Sequence, residues 1–297
     1  MYSHVKIVLL QIEIKGKIKM KNYKIGFIGA GNMAEAIANS LLLKAVFSKE
    51  NIFISEPYEE RRKYFVSKYD VKPCTSNKNL VEKSDIIVLS VKPQMMAEVL
   101  KDSFECIGNN SGKKIIISIA AGISCSGIED IIYSFMEDGK NYPVVRTMPN
   151  TPAMAGTGMT GIAGGKFAGE DDIRLVNDIM SSFGKTIVLN EDRINSVTAV
   201  SGSGPAYYFY FIEVFVKAAM KLGFSEEDAF MLVFETAKGA VALMEATEEL
   251  PSSLRKKVTS KGGTTEAALN VLRKSGLEEM IFNAVKAAEQ RALELSK

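Results

Sequence analysis

The sequence predicts a chain in two parts, an α/β domain over residues 20–190 followed by an all-helical domain over residues 191–297. Short apolar runs alternate with helical stretches as far as Asn190. This alternation is typical of a parallel sheet that helices cover on both faces. Beyond Asn190 no strand-like alternation remains. The length of 297 residues suits two domains of ordinary size.

The first part contains seven short apolar runs that we interpret as strands. These are Tyr23–Ile28, Asn51–Ser55, Asp85–Val91, Lys114–Ile119, Val144–Thr147, Gly158–Ala163 and Lys185–Leu189. The helical stretches between them reach to about Ala45 and then cover Tyr58–Tyr69, Met95–Leu100 and Glu170–Phe183.

We interpret the second part as five helices, of which the first bears on whether the protein is an oligomer. They are Pro205–Leu222, a helix opened by Ser225 that runs to about Ala246, Ser252–Val258, a helix capped by Thr264 that runs to about Lys274, and Leu277–Leu295. The first is apolar or aromatic on almost every face, so it must be buried on nearly all sides. A helical domain of about a hundred residues struggles to bury such a helix alone. We therefore favour burial against a second copy over the central helix of a monomeric core.

The composition excludes several classes of function. The net charge is +2, which gives no electrostatic footprint for nucleic acid or an anionic membrane. Cys74, Cys106 and Cys125 form no Cys-x-x-Cys pair, which argues against a disulfide framework or a Cys-based zinc site and favours a reducing, cytoplasmic location. The one histidine is His4, so neither a His-based catalytic triad nor a His-bound metal is expected. We therefore expect the reaction to depend on a bound organic cofactor, and we expect no metal site.

Residues 1–19 do not fit the pattern that follows them. The run Val5–Ile14 is far too short to span a bilayer, and no small-residue cleavage site follows it. We expect Met20 to be the natural start and the preceding stretch to be a wrongly assigned extension. A real but loosely held tail is the alternative that the sequence leaves open.

A glycine motif, Gly29-x-Gly31-x-x-Ala34, follows the first strand directly and opens a helix. In this context Gly29 permits the tight turn, Gly31 lets the backbone approach a pyrophosphate, and Ala34 allows close helix–strand packing. Free N–H groups at the helix start would then hold the diphosphate. The motif predicts a Rossmann-type dinucleotide-binding domain, ahead of a glycine-rich turn without a ligand.

The choice of coenzyme is left open by the residues at the end of the second strand. Glu56 can bond the 2′-hydroxyl of the adenosine ribose, which favours NADH. Arg61 and Arg62 lie just downstream and could pair with the 2′-phosphate of NADPH. A solvated first helical turn explains the two arginines equally well.

Two further segments are candidates for chemistry. Lys92 follows the third strand, where the carboxyl ends of the strands line the ligand crevice, although a plain surface lysine is an equal alternative. The segment Ser260–Glu266 opens a helix with two glycines and two hydroxyls, which suits a carboxylate. Simple N-capping by Thr264 is the alternative. The segment Ser201–Ala206 is better explained by close packing at the domain junction than by catalysis.

Taken together, these residues resemble the pyrroline-5-carboxylate reductase family over Met20–Lys297. The resemblance rests on five segments in the right order, of which the last looks like the family signature: Phe27–Ala34, Val91–Pro93, Arg146–Pro152, Ser201–Tyr207 and Val258–Thr265. Some family members have Pro at the position of Lys261 and Asn at that of Lys257, which could alter substrate affinity.

The resemblance implies hydride transfer from NADPH or NADH to a cyclic imino acid, 1-pyrroline-5-carboxylate, giving L-proline as the last step of proline biosynthesis. The positions that match the family's dinucleotide lining are Ile28, Gly29, Ala30, Gly31, Asn32, Met33, Ser55, Asn77, Ser90, Val91, Lys92, Pro93, Ala120, Ala121 and Gly122. The substrate positions are Glu191, Thr264 and Thr265, with Ser260 and Gly263 in the carboxylate-binding turn. Thr265 and Lys92 are the candidate catalytic residues. The implied assembly is an interlocked homodimer that can build larger rings, such as a decamer.

Two alternatives remain at this point. The β-hydroxyacid dehydrogenases use a lysine after a Gly-x-Gly on the interdomain helix, and this chain has Tyr208 at the matching position. A regulator that senses nicotinamide nucleotides would keep the Gly29–Ala34 turn but would not need the Gly262–Thr265 segment.

Overall fold

The computed structural model describes Met20 and residues 23–104, 112–135 and 141–296. The expectations for residues 1–19 and for Cys106 lie outside this range. Within it, the α/β half forms one eight-stranded sheet in the order β3-β2-β1-β4-β5-β6-β7-β8. The strands are β1 (Ile25–Ile28), β2 (Ile52–Ser55), β3 (Lys72–Pro73), β4 (Ile86–Leu89), β5 (Ile115–Ser118), β6 (Val144–Met148), β7 (Gly158–Gly164) and β8 (Gly184–Val188).

Seven α-helices belong to the α/β half and to the junction that follows it. They are α1 (Asn32–Leu43), α2 (Glu59–Tyr69), α3 (Asn77–Lys83), α4 (Met96–Phe104), α5 (Cys125–Tyr133), α6 (Glu170–Met180) and α7 (Ile194–Val197). The seven predicted strands are present, each within about two residues of its expected bounds. The sequence interpretation missed β3, α3, α5 and α7. The predicted helix Glu170–Phe183 ends at Met180 and continues as a 3₁₀ turn.

The sheet departs from the predicted all-parallel arrangement at one edge. Strands β1 to β6 run parallel, but β7 pairs with β6 in the antiparallel sense, and β8 pairs in parallel with β7. The connection between β6 and β7 is a single 3₁₀ turn over Thr151–Ala155, too short for the crossover that a parallel partner needs. The last two strands, β7 and β8, therefore run in the direction opposite to that of β1–β6.

Alternating strand residues build the core on two sides of the sheet. In β4, Ile86 and Val88 join the hydrophobic cluster on one face, while Ile87 and Leu89 join the cluster on the other. All four are fully buried. Strands buried on both faces are what helices on both sides of a parallel sheet produce.

The second half is helical, as predicted, and begins with a nearly continuous segment. A π-helical turn, Thr198–Gly202, joins α7 to the next helix, in which Pro205 occupies the second rather than the first position. The helices are α8 (Gly204–Lys221), α9 (Glu226–Thr247), α10 (Pro251–Lys257), α11 (Thr264–Lys274) and α12 (Leu277–Leu295). No helix in the described parts of the chain is long and apolar enough to span a membrane.

The aromatic helix α8 is not buried within one chain. Tyr208 and Phe209 are 73% and 65% exposed, and Gly204 is the one buried residue of the helix. Helices α9 and α12 carry further large apolar side chains in the open, among them Phe230, Met231 and Phe282. Exposed apolar surface this extensive marks an interface.

Candidate active site

The carboxyl ends of β1, β2 and β4 meet at a tight glycine turn. Gly29 has a φ of +91°, and a Cβ added there would lie 2.8 Å from the carbonyl oxygen of Ser90. Its N–H donates to the carbonyl of Ser55 at 2.8 Å. Both the left-handed backbone and the close approach require glycine here.

Gly31 forms the N-cap of α1 and opens a cradle for an anion. No side chain caps the helix, so the N–H groups of its first turn stay available to donate hydrogen bonds to a ligand. A Cβ added at Gly31 would meet nothing within 4 Å, which leaves open space in front of these donors. Asn32 and Met33 form the first turn behind it. The arrangement fits the diphosphate of a dinucleotide.

Three polar side chains form hydrogen bonds along this edge of the sheet. The hydroxyl of Ser90 lies 2.8 Å from the carbonyl oxygen of Ile28 and 2.7 Å from that of Gly29, tying the turn to β4. Ser55 Oγ donates to Asn77 Oδ1 at 2.7 Å. Two of the predicted dinucleotide-lining residues, Ser55 at the end of β2 and Asn77 at the start of α3, therefore bond each other.

Lys92 lies at the same edge, directly before a 3₁₀ turn that starts at Pro93. Its side chain is exposed and, among the described residues, makes no hydrogen bond or ion pair. Val91 and Pro93 beside it are half-buried. The ammonium is thus free to meet an anion at the crevice.

The turn after β5 links the edge to the helical half. Ala120 is buried, Ala121 is half-buried, and Gly122 has a φ of +76°. A Cβ on Gly122 would lie 2.8 Å from the carbonyl oxygen of Leu295, at the end of α12. The C-terminal end of α12 therefore contacts this edge, and its first residue lies a full helix length away.

Glu191, the first residue of the helical half, is held by the α/β half. Its Oε1 accepts the N–H of Cys125 at 2.6 Å, at the N-terminus of α5, and lies 3.4 Å from Nη1 of Arg146. Arg146 is 3% exposed and also donates to Asn195 Oδ1 at 3.0 Å. The Glu191 carboxylate also contacts the Cys125 thiol, so its position at the junction is fixed by the α/β half.

Burial and the neighbouring Glu191 carboxylate raise the pKa of the Cys125 thiol. The thiol therefore stays protonated and is no candidate nucleophile. Sequence reasoning missed Arg146 as a functional residue, although a charged residue inside the apolar run Val144–Thr147 signals a buried charge that needs partners.

The segment Ser260–Glu266 forms a tight turn at the start of α11. Gly262 has a φ of +74° and donates its N–H to Glu266 Oε2 at 2.7 Å, while Gly263 donates to the carbonyl of Ser260 at 3.1 Å. The N-cap is Gly263 and not Thr264, so the capping alternative is wrong. The hydroxyls of Thr264 and Thr265 make no hydrogen bond among the described residues and remain available to a ligand.

One chain does not bring this turn to the nucleotide edge. No hydrogen bond or ion pair in the described parts of the chain joins residues 251–275 to the α/β half. Helix α12 has 19 residues and is about 28 Å long, and α11 with its 11 residues can fold back over about 16 Å at most. Even if α11 returned antiparallel along α12, it would cover little more than half of that helix and stop short of the end that contacts Gly122.

Comparison with known proteins agrees with this architecture. Residues 191–295 match the family model described as pyrroline-5-carboxylate reductase dimerisation, and residues 24–122 match the model described as NADP oxidoreductase, coenzyme F420-dependent. The chain is 38% identical over 280 residues to a pyrroline-5-carboxylate reductase of Vibrio alginolyticus, covering 94% of this chain and 99% of that protein. It is 36% identical over 277 residues to one from Synechocystis, covering 92% and 98%.

The chain belongs to the pyrroline-5-carboxylate reductase family. A solved reductase from Coxiella burnetii superposes with a TM-score of 0.84 at 35% identity, covering 93% of this chain and 99% of that one. The Plasmodium falciparum pyrroline carboxylate reductase, solved with NADP bound, gives 0.81 at 31% identity over 94% and 100% of the two chains. The predicted resemblance and fold class are confirmed, and the β-hydroxyacid dehydrogenase alternative is set aside.

Within this reductase-family fold, the predicted site residues form two groups. The residues around β1, β2, β4 and β5 lie at one edge of the sheet, with Glu191 at the nearby junction. Ser260, Gly263, Thr264 and Thr265 form a separate group at the start of α11. The residue roles themselves stay predictions.

Proposed function

We propose that this protein reduces 1-pyrroline-5-carboxylate to L-proline with hydride from NADPH or NADH, as the last step of proline biosynthesis. The observation that carries the proposal is full-length membership of the reductase family together with an intact nucleotide edge at Gly29–Gly31. The uncapped start of α1 would hold the diphosphate, and Ser55 and Asn77 would face the adenosine ribose. When bound, the coenzyme supplies the hydride.

The protein's own residues supply position rather than a strong acid. A protonated imine is already an electrophile, so orientation of the ring accounts for much of the lowered barrier. The turn Ser260–Thr265 would hold the substrate carboxylate through its free N–H groups and the helix dipole. The unpartnered hydroxyl of Thr265 would bond the ring nitrogen, and Lys92 would meet an anionic group from the opposite side. Glu191 would present its carboxylate at the same crevice.

We propose that the functional unit is a homodimer whose helical halves interlock. The exposed aromatic side chains of α8 support this, since no described element of the same chain covers them. A second copy would bring its Ser260–Thr265 turn to the nucleotide edge that this chain's own turn does not reach. Assembly of dimers into a larger ring such as a decamer, and a cytoplasmic location, belong to the same proposal.

The test is coenzyme oxidation with racemic 1-pyrroline-5-carboxylate, followed by the near-ultraviolet absorbance of NADPH or NADH. Rapid oxidation with proline as the product supports the proposal. A Gly31→Val variant is the matched control, because the space around Gly31 accepts a side chain and only the diphosphate is displaced. Coenzyme binding without turnover of any cyclic imine would instead support the nucleotide-sensing regulator.

A further inference from the structure

Glu56 is a fixed carboxylate at the end of β2, beside the glycine turn. Its Oε2 accepts the N–H of Ala30 at 2.9 Å, and its Oε1 accepts the N–H of Tyr58 at 3.0 Å. Both oxygens are therefore held by the backbone, one of them by the glycine turn itself. A carboxylate held by two N–H groups keeps its charge in place, and cannot swing into solvent when a ligand arrives.

The position of this charge matters for the adenosine ribose. At the end of the second strand of a dinucleotide-binding fold, a carboxylate bonds the ribose 2′-hydroxyl, whereas a 2′-phosphate needs a cation. Oxygens of a carboxylate accept more than one hydrogen bond each, so Glu56 can keep its backbone bonds and accept from the hydroxyl as well. Toward a 2′-phosphate the same charge is repulsive.

Arg61 is the cation that could compensate for this repulsion, but it is already engaged. Its Nε donates to the carbonyl of Ala30, and its Nη2 lies 2.6 Å from Glu35 Oε2. Glu35 also accepts hydrogen bonds from three further side chains, Tyr64, Lys68 and Tyr69. Burial acts to raise the pKa of Glu35, yet these hydrogen bonds hold it at about 2. Glu35 is thus a permanent anion that holds Arg61 toward α1.

Arg62 is the second arginine near the end of β2, and it is also partly engaged. Arg62 donates Nη1 to the backbone carbonyl of Glu56 at 2.7 Å. Ser55 and Asn77 are neutral and bond each other, and Asn77 Nδ2 lies 3.4 Å from a second carboxylate, Asp102. Glu56 and Asp102 thus place two carboxylates around the end of β2.

We propose that Glu56 gives this enzyme a preference for NADH over NADPH, and that Glu35 reinforces the preference by withholding Arg61 from the 2′ position. The inference rests on the proposed use of a nicotinamide coenzyme and selects between its two forms. It concerns the adenosine end alone, so it is independent of the imine that is reduced.

The test is calorimetric titration of the full-length protein with ADP-ribose and with 2′-phospho-ADP-ribose, which carry no nicotinamide and cannot turn over. We expect ADP-ribose to bind at least about tenfold more tightly, the order expected for repulsion between anions near a protein surface. The same ratio is then measured for kcat/KM with NADH and NADPH.

Two variants separate the two parts of the proposal. Glu56→Gln keeps an oxygen for the Ala30 N–H and loses the charge, so the tenfold preference should fall to near parity. Glu35→Gln should release Arg61 and strengthen binding of the 2′-phosphate several-fold while ADP-ribose is unaffected. Glu59→Gln is the matched control, since this exposed residue three positions from Glu56 pairs with Lys63 and not with the turn.

Tighter binding of 2′-phospho-ADP-ribose by the wild type, or an unchanged ratio in Glu56→Gln, overturns the inference but leaves the proposed reductase intact. Loss of 2′-phosphate binding in Arg62→Ala together with a wild-type preference for NADPH would assign the site to Arg62 instead. Absence of binding for both probes overturns this inference and the proposed function together.

Discussion

Thr265 combines two features at the scale of a single residue, an unpartnered hydroxyl and a place in the first turn of α11. Its hydroxyl is available to a ligand, whereas the N–H groups of Gly262 and Gly263 in the same turn are already bonded. A hydrogen bond from this hydroxyl to the ring nitrogen would orient the imine for hydride transfer.

We expect Thr265→Ala to lower kcat by about 10²-fold at saturating substrate, the usual effect of losing a positioned proton-transfer or hydrogen-bonding group. Thr265→Ser should retain most of the activity. Thr259→Ala is the control, because the Thr259 hydroxyl donates to the carbonyl of Arg255 and is not available to substrate. Full kcat in Thr265→Ala would remove Thr265 from the mechanism.

Glu35 has a second consequence, for stability. Burial raises its pKa, but hydrogen bonds from Lys68, Tyr69, Arg61 and Tyr64 lower it from an ordinary 4.5 to about 2. Because the pKa is lower in the folded state, the unfolded chain binds more protons between about pH 4.5 and pH 2. The stabilisation is complete above that window and is lost as the pH falls through it.

Glu35→Gln should therefore lower the free energy of unfolding by about 1 kcal/mol at pH 7, an amount reduced by solvent screening at this surface cluster. The difference between wild type and variant should narrow as the pH is lowered toward 3. Urea unfolding followed by circular dichroism at several pH values measures it. A difference that stays constant down to pH 3 would contradict the assigned pKa.

At the scale of elements, the sequence predicted seven of the eight described strands of the sheet, missing β3, but not the direction of every strand. Apolar runs such as Val144–Thr147 and Gly158–Ala163 identify strands by composition, and composition carries no sign of chain direction. The antiparallel direction of β7 follows from the short Thr151–Ala155 turn, which leaves no room for a crossover connection. Helices α3 and α7 were missed because they have only seven and four residues, too few for a clear helical period.

The pairing of β7 with β8 depends on close contact between two glycines. A Cβ added at Gly184 would overlap the backbone carbonyl of Gly158, and backbone cannot move aside as a side chain can. We expect Gly184→Ala to destabilise the protein by about 2–3 kcal/mol or more, as steric overlap in packed structure does. Gly112→Ala is the matched control, since its added Cβ meets nothing within 4 Å. Thermal unfolding compares the two, and equal melting temperatures would contradict the close contact.

At the scale of the whole molecule, the sequence predicted an oligomer from one helix without a polar face. The structure extends that surface over α8, α9 and α12, where apolar side chains such as Phe209, Phe230 and Phe282 are exposed. What the sequence could not give is which part of the site each copy supplies. Motif order along the chain does not tell whether Gly29–Gly31 and Thr264–Thr265 meet within one chain or between two.

The lengths of α11 and α12 favour two chains, since α11 spans only about 16 Å against about 28 Å for α12, whose far end contacts Gly122. A complementation experiment separates the alternatives. Gly31→Val abolishes the nucleotide edge, and Thr265→Ala abolishes the substrate turn. In a mixed dimer with sites shared between chains, one site combines both defects, while the other combines two intact halves.

When the two variants mix at random, half of the dimers contain one copy of each. In such a mixed dimer, one of the two active sites is intact. We therefore expect about one quarter of wild-type activity after co-expression or subunit exchange, given a symmetric interface used by both copies. Gly31→Val alone should be inactive and Thr265→Ala alone should keep about a hundredth of wild-type activity. A mixture held apart as separate dimers is the control. Sites formed within one chain would leave every site with one defect. Activity of the mixture no greater than the mean of the separate variants would then exclude a shared site.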